Sequence, residues 1–161
     1  RQPEKKLIFI GRLVRQKGPD LLPRILDQLP DWRAVVVGDG PLSGQLQRDD
    51  RIDCLGALPA SVWRSRVGGG VGVCPARSSE GSPLVVDELR LAGIPVVVAS
   101  VDGLAQRVEH GVDGWVVAGR DPRAWSAAIG SAHASTTWSQ SLASKRAHSD
   151  GWTRFADWVL S

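Results

Sequence analysis

The chain has 161 residues, 42% of them hydrophobic and 23% charged, which fits one soluble globular domain with a full core. Its net charge is only +3 and its basic residues are scattered. That speaks against a nucleic-acid-binding face, where cations cluster, and suits a small anionic ligand. No apolar run nears the roughly 18–20 residues that span a bilayer, and nothing has the layout of a signal peptide, so a cytoplasmic protein is expected.

In chain order, Lys6 to Ile10 (KLIFI) predicts a short strand, followed at once by Gly11-Arg12-Leu13-Val14-Arg15-Gln16-Lys17-Gly18. Helical spacing then runs from Pro19 to Leu29 through Leu22, Ile25, Leu26 and Leu29, and Pro30 stops it. A glycine at the carboxyl end of a strand lets backbone approach a ligand closely. Arg12 and Lys17 put two cations at the sheet edge where doubly wound folds take nucleotides. Taken alone, this segment reads more simply as a basic surface loop, and Arg15 and Arg24 carry no motif.

Arg33 to Gly38 (RAVVVG) predicts a second strand, and Gly38, Gly40 and Gly44 have the spacing of a dinucleotide-phosphate loop. That reading fails: the following helix is weak, Pro41 removes a donor, and no acid ends the next strand. Ile52 to Gly56 predicts a third strand and Ser61 to Val67 a short helix containing Trp63. Gly68 to Cys74 (GGGVGVC) fits neither a Walker A loop nor G-x-G-x-x-G. Its glycines are expected to leave core positions without side chains, weakening the strand. Cys54 and Cys74 each end an apolar run without metal-ligand spacing and read as buried thiols in a reducing compartment.

The organising stretch is Pro75 to Ser100 (PARSSEGSPLVVDELRLAGIPVVVAS). Ser82 is a candidate N-cap, Pro83 suits a first helical position, and Gly93 is placed to end the helix. Leu84, Val85, Leu89 and Ala92 are expected on one buried stripe, with Glu88 inside it, where an acid requires a partner. Ile94 to Ala99 is a continuous apolar run, the mark of a strand covered on both faces. Glu80 precedes the helix, in the field of its N-terminal N–H groups. The two carboxylates are expected roughly 9–12 Å apart, too far to share a proton and suited to gripping two ends of one ligand.

E-G-S-P-L-V-V-D-E followed by A-G-I-P-V-V-V-A resembles the E-x7-E signature of retaining, nucleotide-sugar-dependent glycosyltransferases of family four, which have the GT-B fold. Gly11 to Gly18 is similar to that family's G-R-L-x-x-x-K-G motif, and the turn at Gly38-Asp39-Gly40-Pro41 is routine in it. Val101 to Val108 resembles its G-G-L-P-E-I-V segment, with Asp102 for a glycine, Ala105 for a proline and Gln106 for a glutamate. Gly111 to Val117 matches its G-x-x-G-x-L-V turn and last strand. The resemblance covers residues 6 to about 130.

It implies an α/β fold with a doubly wound, parallel, six-stranded sheet, the donor-binding C-terminal half of a GT-B enzyme, with residues 1–161 one domain. It implies that Arg12 and Lys17 hold the donor diphosphate near Gly11, usually in place of a metal. Glu80 would face the donor sugar as the catalytic residue, and Glu88 the ribose. The backbone of Gly81, Ser82, Pro83 and Leu84 would lie by the diphosphate, with N–H donors from Gly81, Ser82 and Leu84 since proline has none, and backbone near Leu58 by the base. No metal or other cofactor is expected; the donor would be a UDP-, GDP- or ADP-linked sugar. The acceptor would belong to an N-terminal domain absent here, and any peripheral membrane contact to that domain alone. Methionine is absent and the chain opens on Arg1, so a piece of a longer polypeptide is expected, with little turnover by itself.

Asp121-Pro122 is expected to open a helix through Trp125, Ala128 and Ile129. A Ser/Thr/Ala-rich link follows, and an amphipathic helix from Gly151 to Leu160. His133 and His148 read as solvated and His110 as a loop residue. Two alternatives stay open: an epimerase acting on nucleotide sugars with the same fold, and a degenerate nucleotide-binding module, which the Gly68 to Gly72 run and Gln106 would favour.

Overall fold

The computed structural model describes residues 4–79 and 84–135; the expected link and final helix, and His148, lie outside them. Six strands alternate with helices among the described residues: β1 (Lys6–Ile10), α1 (Leu22–Asp27), β2 (Arg33–Val37), α2 (Ser43–Gln47), β3 (Ile52–Gly56), α3 (Ala60–Val67), β4 (Val71–Cys74), α4 (Leu84–Leu91), β5 (Val96–Ala99), β6 (Trp115–Val117) and α5 (Pro122–Ala134). All neighbours pair in parallel, in the order β3-β2-β1-β4-β5-β6. The expected doubly wound six-stranded sheet is therefore present. The interior strands β4 and β5 are buried along their whole length, as unbroken apolar runs require when helices cover both faces.

Local rules account for the element ends. Asp121 caps α5 by accepting from the Arg123 N–H at 3.0 Å, with Pro122 in the first turn. At the end of α4 the amides of Gly93 and Ile94 return to Arg90 and Leu89 carbonyls at 3.0 Å each, with Gly93 at φ 79°, the left-handed close expected of a helix-terminal glycine.

Several expectations are corrected. The Pro19 to Leu29 helix begins as a tight 3-10 turn, Pro19–Leu21, and is α-helical only from Leu22 to Asp27. Pro23 lacks an N–H and fits only a first helical turn, so it fixes where α1 can begin. On α4 the buried residues are Val86, Asp87 and Leu89; Leu84 is 37% exposed and Ala92 lies at the surface. Asp87, not Glu88, is the deeply buried acid. It pairs with Arg107, while Arg90 donates to Asp113 at 2.6 Å and to the Arg107 carbonyl at 3.0 Å. This ion network anchors the back of α4 to the loop before β6. Cys54 is half-buried, its thiol pushed up by burial and then by Asp53; Cys74 is buried. His133 stands edge-on to Trp32, ring centroids 5.1 Å apart, and is not simply solvated. His110 is a loop residue whose Nδ1 accepts from the Val116 N–H at 3.0 Å.

The glycine run is not a hole. A Cβ on Gly72 would lie 2.7 Å from Leu89 Cδ1 and 3.3 Å from Val96 Cγ1, and one on Gly70 would lie 2.5 Å from the Lys6 carbonyl oxygen. Neighbours have filled the space that side chains would take, and Gly72 lets α4 sit close on the sheet. Gly72→Val should therefore overpack and destabilise by about 1–3 kcal/mol, measured by urea unfolding. A stabilised variant would mean a true cavity there.

Candidate functional site

In the strand order β3-β2-β1-β4-β5-β6 the direction of winding reverses between β1 and β4. Loops leaving these two strands diverge and open a crevice at their carboxyl ends, where such folds bind ligands. A cavity of about 250 Å³ lies there, lined by Phe9, Ile10, Gly11, Arg12, Lys17, Val73, Cys74, Ala76, Leu84, Val85 and Leu104. Its floor is apolar and comes from the strand ends. Its charged groups, Arg12 and Lys17, come from the loop after β1, facing the first residues of α4.

That loop is held rigidly. Leu13 is fully buried, and its amide donates to the Asp39 carbonyl at 2.9 Å while its carbonyl accepts from Leu42 at 2.9 Å. Residues Arg15–Lys17 form a 3-10 turn closed by Gly18 at φ 73°. A Cβ on Gly18 would fall 1.8 Å from the Pro75 carbonyl oxygen, so only glycine lets the loops after β1 and β4 touch. The Arg77 amide donates to the Gln16 carbonyl at 2.8 Å. Arg77 grips Asp20 with both terminal nitrogens, at 2.7 and 2.6 Å, and also donates to the Arg15 carbonyl at 2.7 Å. Arg120, from beyond β6, donates to the Pro75 carbonyl at 3.0 Å and stands 3.7 Å from Asp20. The Arg77 hydrogen bonds hold the Asp20 carboxyl below the usual carboxylate range. Burial, and then repulsion from Arg77, lowers Arg120 from the ordinary arginine range.

Of the expected site residues, Gly11, Arg12, Lys17 and Leu84 line one crevice. Glu88 lies one turn further along α4, half-buried; burial pushes its carboxyl up, while Arg64 on α3 pulls it down and Asp87 pushes it up. Leu58 packs partly buried against the core and does not line the cavity. It follows β3, the sheet edge, two strands from the gap. Glu80, Gly81, Ser82 and Pro83 lie outside the described residues. Gln106 and Asp102, which depart from the resembled pattern, complement one another: Gln106 donates to Asp102 at 3.2 Å and accepts from the Gly103 N–H at 2.7 Å.

The sequence reading missed Asp20, Arg77 and Arg120, which tie the walls together. Asp20 and Arg77 stand 57 residues apart, and no local pattern announces such a pair. Among the described residues no three His, Cys, Asp or Glu side chains form a group able to hold a metal ion, and no helix is long and apolar enough to cross a membrane.

The loop ties generate a pH prediction. Asp20 is held below its ordinary value, so its stabilisation is present above the unfolded carboxyl's ~3.9 and is lost as pH falls through the folded value. Asp20→Asn should cost about 1–3 kcal/mol at pH 7. In urea unfolding from pH 7 to pH 2 the difference from the parent should shrink at the acid end; a constant difference would remove Asp20 from the acid limb.

Comparison with known proteins follows the same lines. The family profile described as Glycosyl transferases group 1 matches residues 4–135. A D-inositol 3-phosphate glycosyltransferase from Mycobacterium marinum is 35% identical over 142 residues, covering 80% of this chain and 30% of its own length. One from Frankia alni is 31% identical over 177 residues, covering 96% of this chain and 44% of its own length. The chain thus spans less than half the length of these relatives. Among solved structures, Anabaena HepE in complex with UDP and glucose superposes with TM-score 0.71 at 21% identity, over 91% of this chain and 48% of that one. Sucrose-phosphate synthase from Thermosynechococcus elongatus superposes with TM-score 0.72 at 26% identity, over 88% and 38%. Both are GT-B glycosyltransferases, and the shared part is this sheet with its helices.

Proposed function

The chain belongs to the glycosyl transferases group 1 family, and from that premise we propose that it is the donor-binding half of an enzyme that moves a sugar from a nucleoside diphosphate to an acceptor. The observation that carries this is the crevice between β1 and β4, with Gly11, Arg12 and Lys17 on one wall and the start of α4 on the other. A diphosphate seated there would meet two cations and backbone close enough to donate, over an apolar floor that strengthens each charge interaction. UDP is the favoured leaving group, since HepE is known with UDP and glucose bound. The nucleoside would run from the gap across β1 and β2 toward Leu58, two strand spacings or about 10 Å away, with Glu88 on the ribose.

In this reading Arg12 and Lys17 balance the charge that grows on the departing diphosphate, the task a divalent metal performs elsewhere. The N–H groups of Gly81, Ser82 and Leu84 add to it, and Glu80 holds the donor sugar at its reacting carbon. Anomeric configuration is retained. The acceptor belongs to an N-terminal domain, in a cytoplasmic enzyme whose membrane contact, if it has one, runs through that domain. The names of the relatives point to a phosphorylated polyol as one acceptor class to assay.

Calorimetric titration with UDP and uridine tests the charge assignment. Arg12→Ala or Lys17→Ala should weaken UDP binding by about 1.5–3 kcal/mol, roughly ten- to a hundredfold, and leave uridine nearly unchanged. Equal losses for both ligands would remove these residues from the diphosphate.

Glu80 tests the division of labour. Glu80→Ala should leave UDP affinity of the 161-residue chain within about tenfold. In an enzyme carrying both halves it should lower kcat far more, because a contact to the reacting sugar strengthens in the transition state. Full turnover in that variant would end the donor-sugar role.

A further inference from the structure

The two cations of the crevice are carried by one loop but held from different sides. Arg12 stands between Gly11, whose amide donates to the Val37 carbonyl at 3.0 Å, and Leu13, whose amide donates to the Asp39 carbonyl at 2.9 Å. The Leu13 carbonyl in turn accepts from the Leu42 N–H at 2.9 Å. All three bonds run to β2 and the loop that follows it. Lys17 stands between Gln16, whose carbonyl accepts from the Arg77 N–H at 2.8 Å, and Gly18, where a Cβ would fall 1.8 Å from the Pro75 carbonyl oxygen. Both of these contacts run to the loop after β4.

The two ends of the loop also differ in what fixes them. Leu13, beside Arg12, is fully buried. Arg15–Lys17 is a single 3-10 turn with none of its residues buried, so apolar packing does not hold it, and a turn that short is weak by itself. Inside it the Lys17 amide donates to the Val14 carbonyl at 3.0 Å and the Gly18 amide to the Arg15 carbonyl at 3.1 Å. The Arg77 side chain supplies what packing does not. It donates to the Arg15 carbonyl at 2.7 Å and to both Asp20 carboxylate oxygens at 2.7 and 2.6 Å, so one guanidinium spans the turn from its first residue to just past its end. Charge-assisted, two-pronged bonds of this kind are strong and fix geometry. Arg120 stands 3.7 Å from Asp20 and donates to the Pro75 carbonyl at 3.0 Å, bracing the loop after β4.

We propose that Arg77, with Asp20 as its counter-ion, is a positioning residue for Lys17 and not for Arg12: it sets one cation of the diphosphate site, while the other is set independently from β2. The inference rests on the diphosphate reading of the crevice, and its test reads the anchoring without ligand as well as with it. Amide hydrogen exchange of the ligand-free 161-residue chain, followed by NMR, reads the anchoring. In Arg77→Gln the Lys17 and Gly18 amides should exchange about tenfold faster, while those of Gly11 and Leu13 keep the parent rates. Calorimetry reads recognition: Arg77→Gln should weaken UDP binding about tenfold and leave uridine level. In a Lys17→Ala background the same change should cost no further UDP affinity. In an Arg12→Ala background it should again cost about tenfold, since independent effects add and shared ones do not. Arg77→Lys keeps the charge and loses the two-pronged grip, so it should give the same pattern at smaller amplitude, and it carries the test should Arg77→Gln fail to fold.

Parent-like exchange at Lys17 and Gly18 overturns the proposal, as does faster exchange spread equally over Gly11, Leu13, Lys17 and Gly18. So does a UDP loss that is matched for uridine or undiminished in the Lys17→Ala background. Exchange that quickens at Lys17 and Gly18 alone, with UDP affinity unmoved by any of these variants, upholds the anchoring and overturns the diphosphate reading.

Discussion

The two-pronged grip of Arg77 on Asp20 is the contact on which the crevice depends. A gap between diverging strands is by itself only a place where loops separate; it becomes a shaped pocket when its walls hold fixed distances. Arg77 sets that distance by binding Asp20 with one edge of its guanidinium and the Arg15 carbonyl with the same head group. Because both partners are only partly exposed, the pair keeps more of its Coulomb energy than a surface ion pair does. The turn carrying Lys17 is thereby placed before any ligand arrives. Preorganised charge is what such a site needs, since groups already in position need not reorganise as the leaving group departs.

The other wall is fixed by a different device. α4 rests close on β4 because Gly72 leaves room for Leu89, and its rear is anchored by the Asp87–Arg107 and Arg90–Asp113 pairs. Buried ion pairs are a weak source of net stability, but they are specific about geometry, since shifting α4 would strand a buried charge. Apolar packing sets how near the helix lies, and the charges set its rotation and register. Together these put the segment bearing Leu84 and Glu88 opposite Arg12 and Lys17.

Much of this was legible in the residues. Apolar runs marked β1, β2, β3 and β5 to within a residue or two, because parallel strands covered on both faces have no polar alternation to disguise them; β4 lay inside the glycine-rich stretch from Gly68, and β6 was found through the turn before it. Gly11, Arg12 and Lys17 were legible as a set because they lie within one short loop at a strand end. Asp20 and Arg77 were not, since the pairing is created by the fold and leaves no local periodicity. The inward acid of α4 was misread for a related reason: helical spacing treats Asp87 as a surface residue, and only its distant partner Arg107 reverses that. The glycine run misled because a missing side chain looks like a void until Leu89 and Val96 are seen filling it.

The pairing of β1 with β4 has a consequence for how the protein comes to exist. Leu7 lies beside Val71 and Ile8 beside Gly72, with β2, β3 and α3 intervening in sequence. β1, β2 and β3 can pair as soon as they are made, but the two walls of the crevice cannot meet until the chain has been synthesised past Arg77. Closing that loop spends chain entropy before any contact is gained, which makes parallel, non-local pairings slow to form. The crevice is therefore among the last features to assemble, and until then β1 presents an unpaired apolar edge. Changes at the β1–β4 junction should weigh on the yield of folded protein before they weigh on the chemistry of what has folded.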